Sequence, residues 1–212
     1  MPAGAAALQR ATWVRRALWL VAGTMVYNAA EALIALWAGT EAGSIALFGF
    51  GLDSVIELAA GAVVLWRMAA EARGGADEEV ERTELRARRF VGVTFLALAV
   101  YVAAQAGATL WRGTRPGESL VGIALASASL MVMPSVAWGK LRVARALASG
   151  ALAAEAKETL ACSYLSLCLL VGLGANLTLG WWWADPVAAL LMIPWLIREG
   201  VEGVREEGHE AR

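Results

Sequence analysis

Six stretches of about 20 predominantly apolar residues, separated by short charged segments, govern what this chain can fold into. A helix of that length crosses the hydrocarbon core of a bilayer, and nothing between the stretches is long enough to build a water-facing core. The runs lie at 13–38, 44–66, 90–111, 119–139, 150–174 and 184–199. Composition agrees: 59% of the 212 residues are apolar, 17% are charged and the mean hydropathy is +0.58. A soluble domain carries about a quarter charged residues. The reading is an all-α polytopic membrane protein with six transmembrane helices. It divides into an N-terminal segment 1–12, a membrane region 13–199 and a short tail 200–212. Glu155, Lys157 and Glu158 interrupt the start of the fifth run, and Pro186 and Pro194 lie in the sixth, so those ends are the softest.

Arg10, Arg15 and Arg16 ahead of an apolar stretch have the pattern of a secretory signal. The stretch continues through Ala38, too long for a signal core, and is expected to be the first membrane helix. The ten tryptophans cluster near the proposed span ends, where indole rings favour the headgroup level. Sixteen of the eighteen Lys and Arg fall at the N-terminal end (Arg10, Arg15 and Arg16), in the 67–89 and 140–157 connections and at the C-terminal end (Arg198, Arg205 and Arg212), leaving Arg112 and Arg115 on the other side. Six spans with both termini cytoplasmic are therefore expected.

Net charge is −1, with no basic stripe, which excludes nucleic acid as a partner. Cys162 and Cys168, six apart on one helix, point in different directions and cannot form a disulfide framework. The single histidine, His209, lies in the tail, and no nucleophile stands beside a base, so an enzyme is not expected. The charged segment 67–89, with Asp77, Glu78, Glu79, Glu81 and Glu84 against Arg82, Arg86, Arg88 and Arg89, reads as a solvated linker or surface helix.

Ionisable groups inside membrane spans are costly and mark function. Here they are Glu31 in span one, Asp53 and Glu57 in span two, Glu158 in span five and Asp185 at the start of span six. Asp53 and Glu57, four residues apart, stack on one helical face, where two carboxylates must share a proton or hold a cation. Glu158 and Cys162 repeat that spacing, and an offset of 105 maps Ser44, Ala46, Leu47, Asp53 and Glu57 onto Ser149, Ala151, Leu152, Glu158 and Cys162. A weak internal repeat aligned on the polar positions is expected of a transporter built from related halves. The set Asp53, Glu57, Glu158 and Cys162 offers three oxygens and a sulfur, which suits a tetrahedral ion. The thiolate favours zinc, cadmium or cobalt over an oxygen-seeking ion such as manganese or magnesium.

The stretch Ser44 to Glu57 resembles the second transmembrane helix of the cation diffusion facilitators, and Ala154 to Ser166 resembles their fifth. Asp185-Pro186 is similar to the opening of their sixth. The resemblance implies a dimeric, proton-coupled exporter of divalent metal, with Zn2+ the first candidate and Cd2+, Co2+, Mn2+ or Fe2+ as others. Asp53, Glu57, Glu158 and Cys162 fall on the family's four ligand positions. The family's fifth helix usually presents His or Asp followed by Asp, so Glu158 and Cys162 depart from its pattern. It further implies a short member lacking the family's C-terminal cytoplasmic domain, so that a homodimer would form through membrane helices.

Glu31 stands three residues after Asn28 on the same face and reads as a fifth ligand, a proton relay or a buried acid bonded to Asn28. Asp185, next to Pro186, reads as a helix N-cap or first-turn charge, with a residue on the exit path as the alternative. Gln105, Ser127, Ser129, Ser135 and Ser166 are expected to bond or pack between helices, and Cys168 to act as a small apolar residue. Two other classes compete: an organic-cation or multidrug exporter using Glu31, and a metal-binding membrane subunit that does not transport. Ala, Gly and Arg usage points to a bacterial inner membrane.

Overall fold

The computed structural model describes residues 3–72 and 78–205, with side chains at 3–8, 70–72, 78–84, 86–88 and 151 excepted. These residues form six helices: α1 (Ala3–Ala42), α2 (Ile45–Ala72), α3 (Glu78–Arg112), α4 (Leu120–Leu147), α5 (Gly150–Leu179) and α6 (Ala184–Arg205). All but the last are long and apolar enough to cross a membrane. α6 carries Arg198 and Glu199 besides Asp185, which lowers its apolar character. The all-helical polytopic architecture is the one expected.

Serines start three of the helices. Ser44, Ser119 and Ser149 accept from the backbone N–H three residues on, at 3.0, 3.1 and 3.3 Å, satisfying first-turn donors that have no partner within the helix. The α1–α2 turn closes on Gly43, at φ +61°, and on Gly39, where an added Cβ would sit 2.7 Å from the Phe48 nitrogen.

The helices alternate in direction. Gly117 N–H donates to the Ala42 carbonyl and Asn176 to the Pro116 carbonyl. The α1–α2 turn, the α3–α4 connection and the end of α5 therefore share one end of the bundle. At the opposite end the start of α3 meets the end of α6, where a Cβ on Gly92 would fall 2.9 Å from the Gly200 carbonyl. Small residues let those backbones meet, as helix pairs in lipid require. The first end has Arg112 and Arg115 as its basic residues, whereas the second holds Arg142, Arg145, Lys157, Arg198 and Arg205.

The core runs through the centre, around Leu47, Phe50, Met133, Leu165 and Leu169. Large apolar side chains such as Val26, Leu33, Val100 and Met131 point outward, each at least 70% exposed. Apolar surface on this scale belongs against lipid. Trp19, Trp37, Trp111 and Trp138 also face out, as an interfacial belt does, while Trp13, Trp182 and Trp195 are half-buried.

Several expectations are corrected. There is no 140–157 connection: α4 runs through Leu147, the turn is Ala148 and Ser149, and Lys140 lies wholly buried between helices. Helix likewise occupies much of 67–89, since α2 reaches Ala72 and α3 begins at Glu78; Asp77, the neighbouring acidic side chains and His209 lie outside the described residues. Ser127 and Ser166 bond carbonyls of their own helices, Ser166 being fully buried as a packing position is, while Gln105 and Ser135 are exposed, and Ser129 contacts the Cys162 sulfur of α5. Cys162 and Cys168 are free and buried.

Candidate metal centre

Asp53 and Glu57 sit one turn apart on α2, and Glu57 lies at the midpoint of the apolar segment Ile45–Ala69. α5 runs antiparallel to α2 and brings Cys162 against them. One ligand atom from each of Asp53, Glu57 and Cys162 lies within 4.8 Å of the others, and all three residues are buried. Glu57 and Cys162 each stand thirteen residues beyond the serine that caps their helix, Ser44 or Ser149, and those caps are at opposite ends of the bundle. The offset of 105 thus joins two helices of inverted direction, and the ligands meet near mid-depth.

A tetrahedral ion with metal–oxygen bonds of ~2.0 Å and a metal–sulfur bond of ~2.3 Å holds its donors roughly 3.3–3.6 Å apart. The three donors would have to close by no more than about 1.5 Å to share one ion, within the reach of side-chain torsions.

Glu158, one turn before Cys162, is not in this group. It is half-buried and lines a cavity of about 280 Å³ at the charged end, with Glu155 and Lys157 from α5 and Arg198, Glu199 and Glu202 from α6. Ala60 of α2, one turn beyond Glu57, also borders the cavity. Glu158 therefore stands between the cavity and the buried donors.

α1 and α4 complete the surroundings. The Asn28 amide donates to Glu57 Oε2 at 3.0 Å, so Asn28 serves Glu57 and not Glu31. Glu31, 1% exposed, accepts at Oε2 from the Ser54 hydroxyl at 2.9 Å and from the Cys162 thiol at 3.8 Å. Ser129 of α4 lies 3.8 Å from the same sulfur. The buried acid bonded to Asn28 is thus replaced by one that joins the donor cluster.

Asp185 belongs to the far end. It accepts from the Ser44 hydroxyl and, at 3.0 Å, from the Ile45 N–H, so it caps α2 and not its own helix. Ser44 is nine residues from Asp53, or about 13 Å at 1.5 Å per residue, which separates Asp185 from the donors.

Sequence reading missed one buried polar group. The Lys140 ammonium donates to Glu155 Oε1 at 2.5 Å and to the Thr159 hydroxyl at 2.8 Å. Glu155, Thr159 and Cys162 lie at i, i+4 and i+7 on α5, a spacing that puts the Lys140 partners on the Cys162 face. That pattern was the available signal.

Among known proteins, the chain matches a Synechocystis protein described as an uncharacterized transporter, at 27% identity over 168 residues. The match covers 77% of this chain and 54% of the relative, so the chain spans about half the length of that protein. Residues 22–209 match the cation efflux transmembrane domain. That match spans all of the membrane region beyond the first turns of α1, and with it the buried Asp53, Glu57 and Cys162; the chain is a member of the cation efflux family, whose proteins are secondary transporters of divalent metal cations and not enzymes.

Proposed function

We propose that this chain exports a divalent metal ion, zinc foremost, from the cytoplasm in exchange for protons. The observation that carries the reading is the convergence of Asp53, Glu57 and Cys162 at mid-depth in a membrane bundle. One sulfur and several carboxylate oxygens suit zinc, with cadmium and cobalt next by softness. The cavity at the charged end is the cytoplasmic mouth, because Lys and Arg concentrate there and α1 starts and α6 ends on that side. Glu158 meets the ion first and passes it inward to the three buried donors.

Exchange follows from charge. Three or four anionic donors around a +2 ion leave net negative charge in a low dielectric. The donors therefore bind metal only after releasing protons, and protons arriving from the opposite side displace it. The working unit is a homodimer joined through membrane helices, in a bacterial inner membrane. Burial of Glu31 within the donor cluster, together with family membership, favours this reading over an organic-cation exporter.

The test is flux. Protein reconstituted in liposomes with a trapped zinc-sensitive dye should move zinc under a proton gradient, Asp53→Ala should abolish it, and Cys162→Ser should change the preference among zinc, cadmium and manganese. Binding without flux of any divalent ion would leave a metal-binding membrane subunit instead.

A further inference from the structure

Five buried side-chain oxygens among the described residues have no hydrogen-bond partner, and three of them lie on one turn of α1: the Tyr27 hydroxyl, Asn28 Oδ1 and Glu31 Oε1. Buried oxygens without donors are rare, and a group of them requires an explanation. Residues 28 and 31 both touch the donor cluster, Asn28 through Glu57 and Glu31 through Cys162. The Glu31 Oε2 to Cys162 Sγ separation is 3.8 Å, close to the ~3.5 Å that an oxygen and a sulfur take on one tetrahedral ion. Neither Glu31 nor Glu158 has an oxygen within 4.8 Å of all three buried donors, but Glu31 is 1% exposed and touches Cys162, whereas Glu158 is half-buried and faces the cavity.

Resting on the metal-centre reading above, we infer that α1 supplies the fourth ligand: Glu31 binds the transported ion together with Asp53, Glu57 and Cys162. Glu158 is then a residue of the approach and no inner ligand. Asn28 and Ser54 hold Glu57 and Glu31 by hydrogen bonds to one oxygen of each, so that the two carboxylates are oriented before the ion arrives. Moving the fourth ligand to α1 makes the site span three helices, and any shift of α1 against α2 would change the coordination number.

Cobalt(II) replaces zinc and reports coordination by its visible spectrum, so the purified parent, Glu31→Gln and Glu158→Gln are titrated with it in detergent. The expected result is an intense four-coordinate spectrum for the parent and Glu158→Gln. Glu31→Gln should lose that intensity and bind at least tenfold more weakly. An unchanged spectrum in Glu31→Gln, with affinity within twofold of the parent, overturns the inference while leaving the metal centre standing. A parent that binds no divalent ion overturns both. Should Glu31→Gln fail to fold, X-ray absorption of the zinc-loaded parent and Glu158→Gln decides: one sulfur and three oxygens in both supports the assignment, and loss of an oxygen in Glu158→Gln refutes it.

Discussion

Lys140 and Glu155 form an ion pair at 2.5 Å across the α4–α5 interface, and no part of the lysine side chain is exposed. Removing one partner strands the other charge in a medium that solvates it poorly, at about 3–5 kcal/mol. Lys140→Met is therefore expected to be strongly destabilised and the double variant Lys140→Met/Glu155→Met to recover much of the loss. Thermal unfolding in detergent across the full mutant cycle measures it, and additive single effects would refute the coupling.

Asp185 receives two donors at the start of α2, and both bonds benefit from a carboxylate facing the positive end of that helix. Asp185→Asn retains size but loses charge, and is expected to lower stability by roughly 1–2 kcal/mol. Ser44→Ala removes the cap to Leu47 as well as a donor to Asp185, and the effects of the two changes should be less than additive. Equal and additive losses would argue against a shared network.

Ala148 ends α4 in the left-handed region, at φ 52° and ψ 37°, where a Cβ costs roughly 1 kcal/mol. Ala148→Gly should raise the unfolding midpoint by that increment. A fall would mean that glycine's gain in the unfolded chain exceeds the strain relieved.

Metal binding consumes deprotonated donors. Affinity for zinc, followed by calorimetry in buffers of different ionisation enthalpy, should fall as pH falls, and protons should be released on binding. Cys162→Ser should release fewer protons than the parent, because a serine hydroxyl binds with its proton retained. A proton count of zero in the parent would separate binding from exchange.

What sequence disclosed and what it concealed divide by distance along the chain. Apolar runs are local and marked the helices, although the runs stopped short where helices continue through charged residues, as α4 does past Lys140 to Leu147. Lys140 counts toward the 140–157 connection in sequence because its partner stands fifteen residues away on the next helix. Asn28 and Glu31 share a face, which suggests a mutual bond, yet the amide reaches Glu57, twenty-nine residues on. Asp185 has the composition of a cap, but the helix it caps begins 140 residues earlier. Asp53 and Glu57 were legible as a pair because i, i+4 spacing in a span puts both on one face, whereas the same spacing joined Cys162 to Glu158, and Glu158 lies outside the group that Cys162 enters.

The bond from Asp185 to the start of α2 fastens one end of the bundle across 140 residues of chain. At that end the last helix is latched to the second, while at the other end the cavity reaches toward the donors. If α2 and α6 part there, Asp185 surrenders both donors at once and needs water or a proton to replace them. The same carboxylate thus ties the start of α6 to the start of α2, so that neither helix moves at that end without breaking both bonds.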